Sequence, residues 1–253
     1  MDIAAIASLA GHLRRATRVT VLTGAGVSAA SGVPTFRGPE GLWRQFRPEE
    51  LATVAAFRRD PKLVWEWYEW RRARVAGCEP NPAHDVLARW SQGGAGGPAS
   101  GPRCTVVTQN VDDLHLRAGT RGLVRLHGSL WELRCAGACG APDWRDDRVP
   151  LPRVPPACPS CGGLARPAIV WFGEALADAD VAAATRACDC EVFIAVGTSA
   201  LVYPAAGFMH DAARRGALTA EINAEPTAQS SLVDIAIEGR AEEVLPALDR
   251  ARG

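Results

Sequence analysis

Residues 19–29 have the sequence V-T-V-L-T-G-A-G-V-S-A, an apolar, β-rich run that leads directly into a glycine-rich turn. Gly24, Gly26 and Ala29 have the spacing of a dinucleotide-binding turn, in which glycine lets the backbone bend sharply and approach a pyrophosphate. Glycine after a strand is also ordinary turn chemistry, so this stretch alone leaves both interpretations open. It does indicate a strand that feeds a helix at the edge of an α/β sheet.

Similar apolar runs recur along the chain, with helical stretches between most of them. Runs that are apolar on both faces and separated by helices are typical of a parallel sheet covered on each side. We therefore predict an α/β fold with a doubly wound, Rossmann-like parallel sheet. The predicted strands are Val19–Thr23, Cys104–Thr108, Leu123–Leu126, Val192–Val196, Leu218–Ile222 and Ile235–Ile237.

Two stretches interrupt this alternation and predict a smaller domain beside the sheet. Pro48 to Arg74 is helical in pattern with no strand, and Arg134 to Arg166 is rich in Cys, Pro and Gly. Because open α/β sheets bind ligands outside the carboxyl ends of their strands, we expect the ligand cleft between the two domains. The predicted division is a Rossmann-like domain of 1–47, 103–133 and 167–253, a helical insertion of 48–102 and a Cys-rich insertion of 134–166.

The composition is that of an ordinary soluble domain. The chain has 253 residues, 47% apolar and 22% charged, with 28 basic and 28 acidic side chains. This balance gives no reason to expect nucleic acid or an anionic membrane as a partner. Ile3, Ile6, Leu9 and Leu13 have helical spacing and no basic segment before them, which argues against a signal peptide. We expect a cytoplasmic chain whose eight cysteines are metal ligands or buried thiols.

Four of the cysteines form two short-spaced pairs, C-x3-C and C-x2-C: Cys135, Cys139, Cys158 and Cys161. Four thiolates in this pattern can close a tetrahedral zinc site, which stabilises a segment too small to bury its own core. Because protein ligands would fill all four positions, the predicted zinc is structural and the insertion 134–166 is a zinc ribbon. The other cysteines are expected to be ordinary thiols: Cys78, Cys104, Cys188 and Cys190.

A helix is predicted to begin at Asp60, a good N-cap residue, with Pro61 at its first position. Tyr68 and Arg71 are three residues apart on this helix and are therefore neighbours on its surface. An arginine beside a half-buried tyrosine is a common arrangement. The pair by itself therefore assigns no function.

Six segments, spread over most of the chain and in the same order, resemble the motifs of the sirtuin family. The first cysteine pair departs from the family pattern, which usually has C-x2-C there. The segments are G-A-G-V-S-A-A-S-G-V-P-T-F-R-G at 24–38, T-Q-N-V-D-D-L-H at 108–115, L-H-G-S at 126–129, V-W-F-G-E at 170–174, G-T-S at 197–199 and I-N-A-E at 222–225.

The resemblance implies that NAD is a cosubstrate and that acyl groups are removed from lysine side chains of other proteins. In such a reaction the acyl oxygen attacks the ribose as nicotinamide leaves, and water then completes the release of free lysine and 2′-O-acyl-ADP-ribose. His127 is implied as the general base, since imidazole titrates near neutrality, and Asn110 as a second catalytic residue. His115 matches a family position but is expected to be a helix residue near the site. The residues implied to bind NAD are Gly24, Ala25, Gly26, Ser28, Thr35, Phe36, Arg37, Trp43, Gln109, Asn110, Asp112, Gly197, Thr198, Ser199, Asn223, Glu225 and Ala241.

The resemblance also bears on the acyl group. Tyr68 and Arg71 resemble the Y-x-x-R pair of class III sirtuins, whose hydroxyl and guanidinium receive the carboxylate of a malonyl, succinyl or glutaryl group. Ala52 aligns with the small residue that widens the acyl pocket in that class. The substrate peptide is expected to pair its backbone with a loop near Leu201 to Tyr203 and with the V-W-F-G-E segment. That segment comprises Val170, Trp171, Phe172, Gly173 and Glu174.

Other functions remain open at this point. The same fold could act mainly as a deacetylase or as a weak ADP-ribosyltransferase. A non-catalytic NAD sensor or zinc-ribbon interaction module is disfavoured by Asn110, Asp112 and His127, because a binding module has no need of a base. A dehydrogenase is disfavoured because the first turn continues as S-G-V-P-T-F-R-G and not toward an acidic, ribose-binding residue.

Overall fold

The computed structural model describes residues 2–34, 46–93, 103–199 and 203–253. Its main sheet has six strands, all parallel, and every strand lies where the sequence predicts it. The strands are β1 (Arg18–Thr23), β2 (Arg103–Thr108), β3 (Val124–Arg125), β7 (Val192–Val196), β8 (Leu218–Asn223) and β9 (Ile235–Glu238). Their spatial order is β3-β2-β1-β7-β8-β9, which is the Rossmann order with its switch point between β1 and β7. The predicted doubly wound α/β fold is confirmed.

Helices cover both faces of this sheet. In β7 the side chains of Val192, Ile194 and Val196 enter one buried cluster, whereas Phe193 and Ala195 enter another, because successive strand residues point to opposite faces. No helix within the described ranges has the length and apolar character needed to cross a membrane. The described helices are α1 (Ile3–Arg15), α2 (Pro48–Leu51), α3 (Val54–Arg59), α4 (Pro61–Ala76), α5 (Pro82–Gln92), α6 (Leu114–Arg117), α7 (Asp178–Ala187), α8 (Ala205–Arg214) and α9 (Ala241–Arg252).

A second, antiparallel sheet has the order β5-β4-β6, with β4 at Gly128–Cys135, β5 at Trp144–Arg145 and β6 at Ala165–Ile169. This sheet packs with α2, α3 and α4 around an aromatic-rich core that includes Trp65, Tyr68 and Trp171. It begins at Gly128 and ends at Ile169, so it extends past both ends of the predicted insertion 134–166. The reason is that β4 is one continuous strand, and no turn residue in the sequence marks a boundary at 134.

Helix α4 begins as the sequence predicts. The carboxylate of Asp60 accepts a hydrogen bond from the backbone N–H of Leu63 at 2.9 Å, and Pro61 occupies the first helical position. Further along, the indole N–H of Trp65 donates to the carbonyl of Ala165 at 2.8 Å. This buried bond joins the helix to β6.

Arg72, also on α4, is fully buried. Its guanidinium donates to the carbonyls of Leu130 at 2.5 Å, Asp146 at 2.7 Å and Arg148 at 2.9 Å, and its Nε lies 3.0 Å from a carboxylate oxygen of Glu69. A buried charge is tolerated only when its donors are satisfied in this way. Arg72 therefore attaches α4 rigidly to the second sheet.

The turns after β1 and β7 touch backbone to backbone at the switch point. The N–H of Gly26 donates to the carbonyl of Gly197 at 2.8 Å. A Cβ atom at Gly26 would lie 2.7 Å from the Cα of Gly197, and one at Gly197 would lie 2.5 Å from the nitrogen of Val27. Gly197 also has a φ of 58°, which other residues adopt at a cost. Glycine is required on both sides of this contact.

We expect Gly197→Ala to reduce the free energy of unfolding by about 3 kcal/mol, because backbone overlap adds to left-handed strain. Gly216 is the matched control, since it has a φ of 90° and no atom lies within 4 Å of the position that a Cβ would take there. Gly216→Ala should therefore cost only the strain, about 1 kcal/mol. Urea unfolding followed by tryptophan fluorescence measures both losses, and equal losses would show that the contact does not constrain the fold.

Candidate active site

The carboxyl ends of the parallel strands bring the predicted NAD-binding residues to one edge of the main sheet. β1 ends before Gly24, β2 before Gln109, and β8 ends at Asn223. A cleft of about 780 Å³ lies at this edge. The predicted residues that line it are Gly26, Gly197, Thr198, Ser199, Asn223, Glu225 and Ala241. Four further predicted residues lie outside the described residues: Thr35, Phe36, Arg37 and Trp43.

Hydrogen bonds tie the ends of three strands together beneath this cleft. The side-chain amide of Gln109 donates to the hydroxyl of Thr198 at 2.9 Å. The side-chain amide of Asn223 donates to the carbonyl of Thr198 at 3.0 Å. Since these residues follow or end β2, β7 and β8, the geometry of the cleft is fixed by the sheet itself.

Asn110, Ser28 and Asp112 form a polar group at the turn after β1, in which Ser28 and Asp112 are buried and Asn110 is half-buried. The amide nitrogen of Asn110 donates to the carbonyl of Gly24 at 3.1 Å and to the hydroxyl of Ser28 at 3.0 Å. Asp112 is almost fully buried and accepts from the backbone N–H of Leu114 at 2.9 Å. Burial raises the pKa of the Asp112 carboxyl, and a hydrogen bond from Ser28 opposes that change. The side-chain orientations of Asn110 and Asp112 are therefore set by partners within the fold.

Two residues that sequence analysis did not single out support this group. The backbone N–H of Asn81 donates to Nδ1 of His84 at 3.2 Å, and Nε2 of His84 lies 3.3 Å from the Ser28 hydroxyl. Since Nδ1 accepts, the neutral ring carries its hydrogen on Nε2 and donates it to Ser28. Burial lowers the pKa of His84 to about 4, which keeps the ring neutral near pH 7. The one sequence signal was the N-P-A-H segment, in which Asn81 caps α5 and His84 is the third helical residue.

His115 lies in the short helix α6, as predicted, and is fully buried. Its Nε2 is 2.9 Å from the hydroxyl of Thr23, which donates to the hydroxyl of Thr108 at 2.8 Å. Its ring also contacts that of His84, with 4.8 Å between centroids. Burial lowers the pKa of His115 to about 3. The residue is thus a neutral support under the ends of β1 and β2.

His127 follows β3 and is half-buried. Its Nδ1 is 2.8 Å from the backbone carbonyl of Gln109, and because a carbonyl can only accept, Nδ1 carries the hydrogen. Nε2 is therefore the nitrogen able to accept a proton. Burial lowers the pKa of His127, and the bond to Gln109 opposes that change. The imidazole is held as a neutral base of fixed tautomer.

The predicted acyl-pocket residues meet between α4 and the end of β6. The hydroxyl of Tyr68 accepts a hydrogen bond from the indole N–H of Trp171 at 2.8 Å. The guanidinium carbon of Arg71 lies 5.9 Å from the Tyr68 ring centroid. Burial lowers the pKa of Arg71, and Tyr68 and Asp112 oppose that change electrostatically. Ala52 is buried nearby, and its carbonyl accepts from the N–H of Phe172 at 2.9 Å.

The V-W-F-G-E segment is a turn, closed by a hydrogen bond from the N–H of Glu174 to the carbonyl of Trp171 at 2.9 Å. Gly173 has a φ of 85° in this turn, a conformation that favours glycine. The N–H of Val170 donates to the carbonyl of His127 at 3.1 Å. Phe172 remains 46% exposed, so its side chain faces solvent.

The four predicted zinc ligands lie together, with all sulfur atoms within 4.8 Å of one another. The sulfur atoms of Cys135 and Cys161 are 3.6 Å apart, and those of Cys139 and Cys158 are 3.8 Å apart. Zn–S bonds of about 2.3 Å in a tetrahedron place sulfurs about 3.8 Å apart, so the cluster fits a zinc ion. The extra residue of C-x3-C is accommodated by Ala138, which has a φ of 50°.

Comparisons with known proteins agree with this geometry. The Sir2 family model matches residues 24–204. The NAD-dependent protein deacylase 2 of Pyrobaculum aerophilum is 49% identical over 242 residues, covering 95% of this chain and 93% of its own. A crystal structure of a Sir2 homologue with NAD has a TM-score of 0.89 at 41% identity, covering 97% of this chain and 93% of its own. A mutant Sir2 homologue with 2′-O-acetyl ADP-ribose has a TM-score of 0.88 at 41% identity. The match covers 99% of this chain and 96% of the homologue.

We expect the purified protein to contain about one zinc ion per chain. Cys158→Ser should lose that metal and lower the melting temperature, because a structural zinc site contributes its binding free energy to folding. Cys78→Ser is the control, since the Cys78 thiol donates to the carbonyl of Arg74 outside the cluster and its loss should leave the zinc content unchanged. Elemental analysis with calorimetry measures both effects. Zinc-free wild-type protein of undiminished stability would contradict the assignment.

Proposed function

The chain belongs to the Sir2 family and is an NAD-dependent protein deacylase, and from this premise we propose that it removes succinyl, malonyl and glutaryl groups from lysine side chains. The observation that carries the proposal is the pairing of Tyr68 and Arg71 on α4. Arg71 remains charged although burial lowers its pKa, because an arginine titrates far above neutrality. A carboxylate is the acyl substituent that complements a hydroxyl and a guanidinium placed side by side.

The small side chain of Ala52 supports the same substrates. Ala52 lies at the end of α2 and has only a methyl side chain. Its carbonyl accepts a hydrogen bond from the N–H of Phe172, in the turn after β6. A larger residue there would fill space that a four- or five-carbon acyl chain needs. An acetyl group is shorter and offers no opposite charge to the Arg71 guanidinium, so it uses the pocket less fully.

The cosubstrate end is proposed to hold NAD along the cleft between Gly26 and Glu225. When bound, NAD supplies an anomeric carbon that becomes electrophilic as nicotinamide departs. Asn110 donates to the carbonyl of Gly24 and to the hydroxyl of Ser28 in the turn after β1, and we propose that Asn110 and Asp112 hold the nicotinamide and its ribose. The turn after β1 contributes Gly26 to the lining of the cleft, and we assign this turn to the diphosphate.

His127 is proposed as the general base. Its Nδ1 hydrogen is held by the carbonyl of Gln109, so Nε2 is free to take a proton from a ribose hydroxyl. The four cysteines form a separate, closed set, so we assign the zinc to the structure of the ribbon and not to this proton transfer. The substrate main chain is proposed to lie along Phe172 and Gly173, with Tyr203, which is 73% exposed, on the other side.

The base assignment predicts the pH dependence of the reaction. His127 accepts a proton only when neutral, and burial places its pKa below the ordinary 6.5. We therefore expect kcat/KM to reach a plateau at neutral pH and to fall as the pH drops through a pKa that lies below 6.5. The pH profile should be the same for acetyl and succinyl peptides, since both reactions depend on the same imidazole of the enzyme. Half-maximal activity at or above pH 6.5 with both substrates would argue against His127 as the base.

Arg71→Met tests the acyl preference. Loss of one charge-assisted contact should cost on the order of 1.5 to 3 kcal/mol for a succinyl peptide, which is roughly one to two decades in kcat/KM. The loss should appear mainly in KM if the contact is equal in the ground and transition states. Turnover of an acetyl peptide, which has no carboxylate to lose, should change little. Steady-state kinetics with both peptides and saturating NAD measure the ratio.

Arg74→Met is the matched control for this experiment. Arg74 is an exposed arginine on the same helix, and its guanidinium carbon lies 5.5 Å from the Trp70 ring centroid, outside the pocket. Its replacement removes the same charge and should leave the ratio of the two activities unchanged. If Arg71→Met lowers both activities equally, the residue is structural and the enzyme is mainly a deacetylase.

A further inference from the structure

We propose that Trp171 is a positioning residue for acyl specificity, because it fixes the hydroxyl of Tyr68 as a hydrogen-bond donor toward the acyl group. This inference rests on the proposed preference for acidic acyl groups and assigns to Trp171 a role beyond lining the cleft. It depends on the direction of a single buried hydrogen bond and on the packing that holds the indole in place.

The direction of the bond follows from the chemistry of the two side chains. An indole N–H can only donate, so at 2.8 Å the Tyr68 oxygen must be the acceptor. The phenolic hydrogen of Tyr68 is then left to donate elsewhere. Among the described residues, no acceptor is hydrogen-bonded to it, although Tyr68 is only 1% exposed. Tyr68 therefore offers the acyl pocket a donor.

The charge state of Tyr68 keeps that hydrogen in place. Burial raises the pKa of the phenol to about 12, while Arg71 and the bond from Trp171 oppose the change. The hydroxyl is thus protonated at any pH at which the enzyme would work. Because the indole donates to it, the hydroxyl is also a stronger donor than an isolated phenol. A carboxylate, which only accepts, is the complementary ligand.

The indole itself cannot turn away. The guanidinium carbon of Arg166 lies 3.6 Å from its ring centroid, and the Phe57 ring centroid is 5.3 Å away. Arg166 donates to both carboxylate oxygens of Glu174 at 2.7 Å, and one of these oxygens accepts from the backbone N–H of Trp171 at 2.9 Å. The Arg166–Glu174 ion pair therefore fixes both the ring and the backbone of Trp171.

A double-mutant cycle tests the proposal. Trp171→Phe retains an aromatic ring but removes the donor, and we expect it to lower the ratio of succinyl to acetyl kcat/KM by about three- to tenfold. In a Tyr68→Phe background the same substitution should cause no further fall in the ratio, because the hydroxyl through which it acts is gone. Equal falls in both backgrounds, or no fall in either, would overturn the role assigned to Trp171.

Trp65→Phe is the matched control. Trp65 is a buried indole in the same cluster, and its N–H donates to the carbonyl of Ala165 and not to Tyr68. Its loss should leave the succinyl-to-acetyl ratio unchanged. A fall equal to that of Trp171→Phe would show that the ratio responds to any loss of packing, and the proposal would be wrong.

A spectroscopic measurement keeps the test decisive if Trp171→Phe does not fold. In a ¹H–¹⁵N spectrum, Tyr68→Phe should move the indole proton resonance of Trp171 upfield, since its acceptor is lost, and should leave that of Trp65 in place. An unmoved Trp171 resonance would overturn the proposal.

The outcomes separate this proposal from the proposed function. If Arg71→Met lowers the ratio and Trp171→Phe does not, only the role of Trp171 fails. If wild-type enzyme shows no succinyl preference, both fail.

Discussion

The backbone contact between Gly26 and Gly197 is the constraint on which the rest of the site depends. It brings the ends of β1 and β7 to a distance that no side chain permits. Asn110 then takes its position from the carbonyl of Gly24, and Gln109 from the hydroxyl of Thr198. The polar groups of the cleft are thus placed by strand ends and not by mobile loops. Placement of this kind is pre-organised before any ligand arrives.

Burial lowers the pKa of several basic side chains in this protein, with different consequences for imidazole and guanidinium groups. It lowers the pKa of His84, His115 and His127, which favours the neutral imidazole. It also lowers the pKa of Arg71, but an arginine starts from a much higher pKa and keeps its charge. The same physical effect therefore leaves neutral imidazoles and a charged guanidinium in one fold.

Much of the fold follows from the sequence, because its signals are local. The strand β7 is an unbroken apolar run between Glu191 and Gly197, which is a hydrophobic-pattern signal. The Asp60–Pro61 pair marks the start of α4, which is a capping signal. The pairing of Tyr68 with Arg71 needed only helical spacing. The supports of the site were not predictable in the same way. Asn81 and His84 act on the turn after β1 across more than fifty residues of chain, and nothing local distinguishes a buried histidine from a surface one.

The second sheet is less visible in the sequence, because strand β4 continues without a turn residue into the Cys-rich segment that starts at Arg134. The C-x3-C spacing differs from the usual C-x2-C of the family, and the sequence alone did not determine the geometry of this loop. In the structure, Ala138 within the loop adopts a left-handed conformation. The metal cluster tolerates the insertion because its geometry is set by the four sulfur positions and not by the chain between them.

The burial of Arg72 has a consequence for anyone who wishes to re-engineer acyl selectivity. Its three carbonyl partners come from β4 and from the segment after β5, and none lies on α4 itself. The helix that carries Tyr68 and Arg71 is therefore not a portable module. Grafted alone onto another scaffold, the helix would keep only the Glu69 carboxylate as a partner for this cation. The smallest transferable unit is therefore the helix together with β4 and the segment after β5, which supply the carbonyl acceptors.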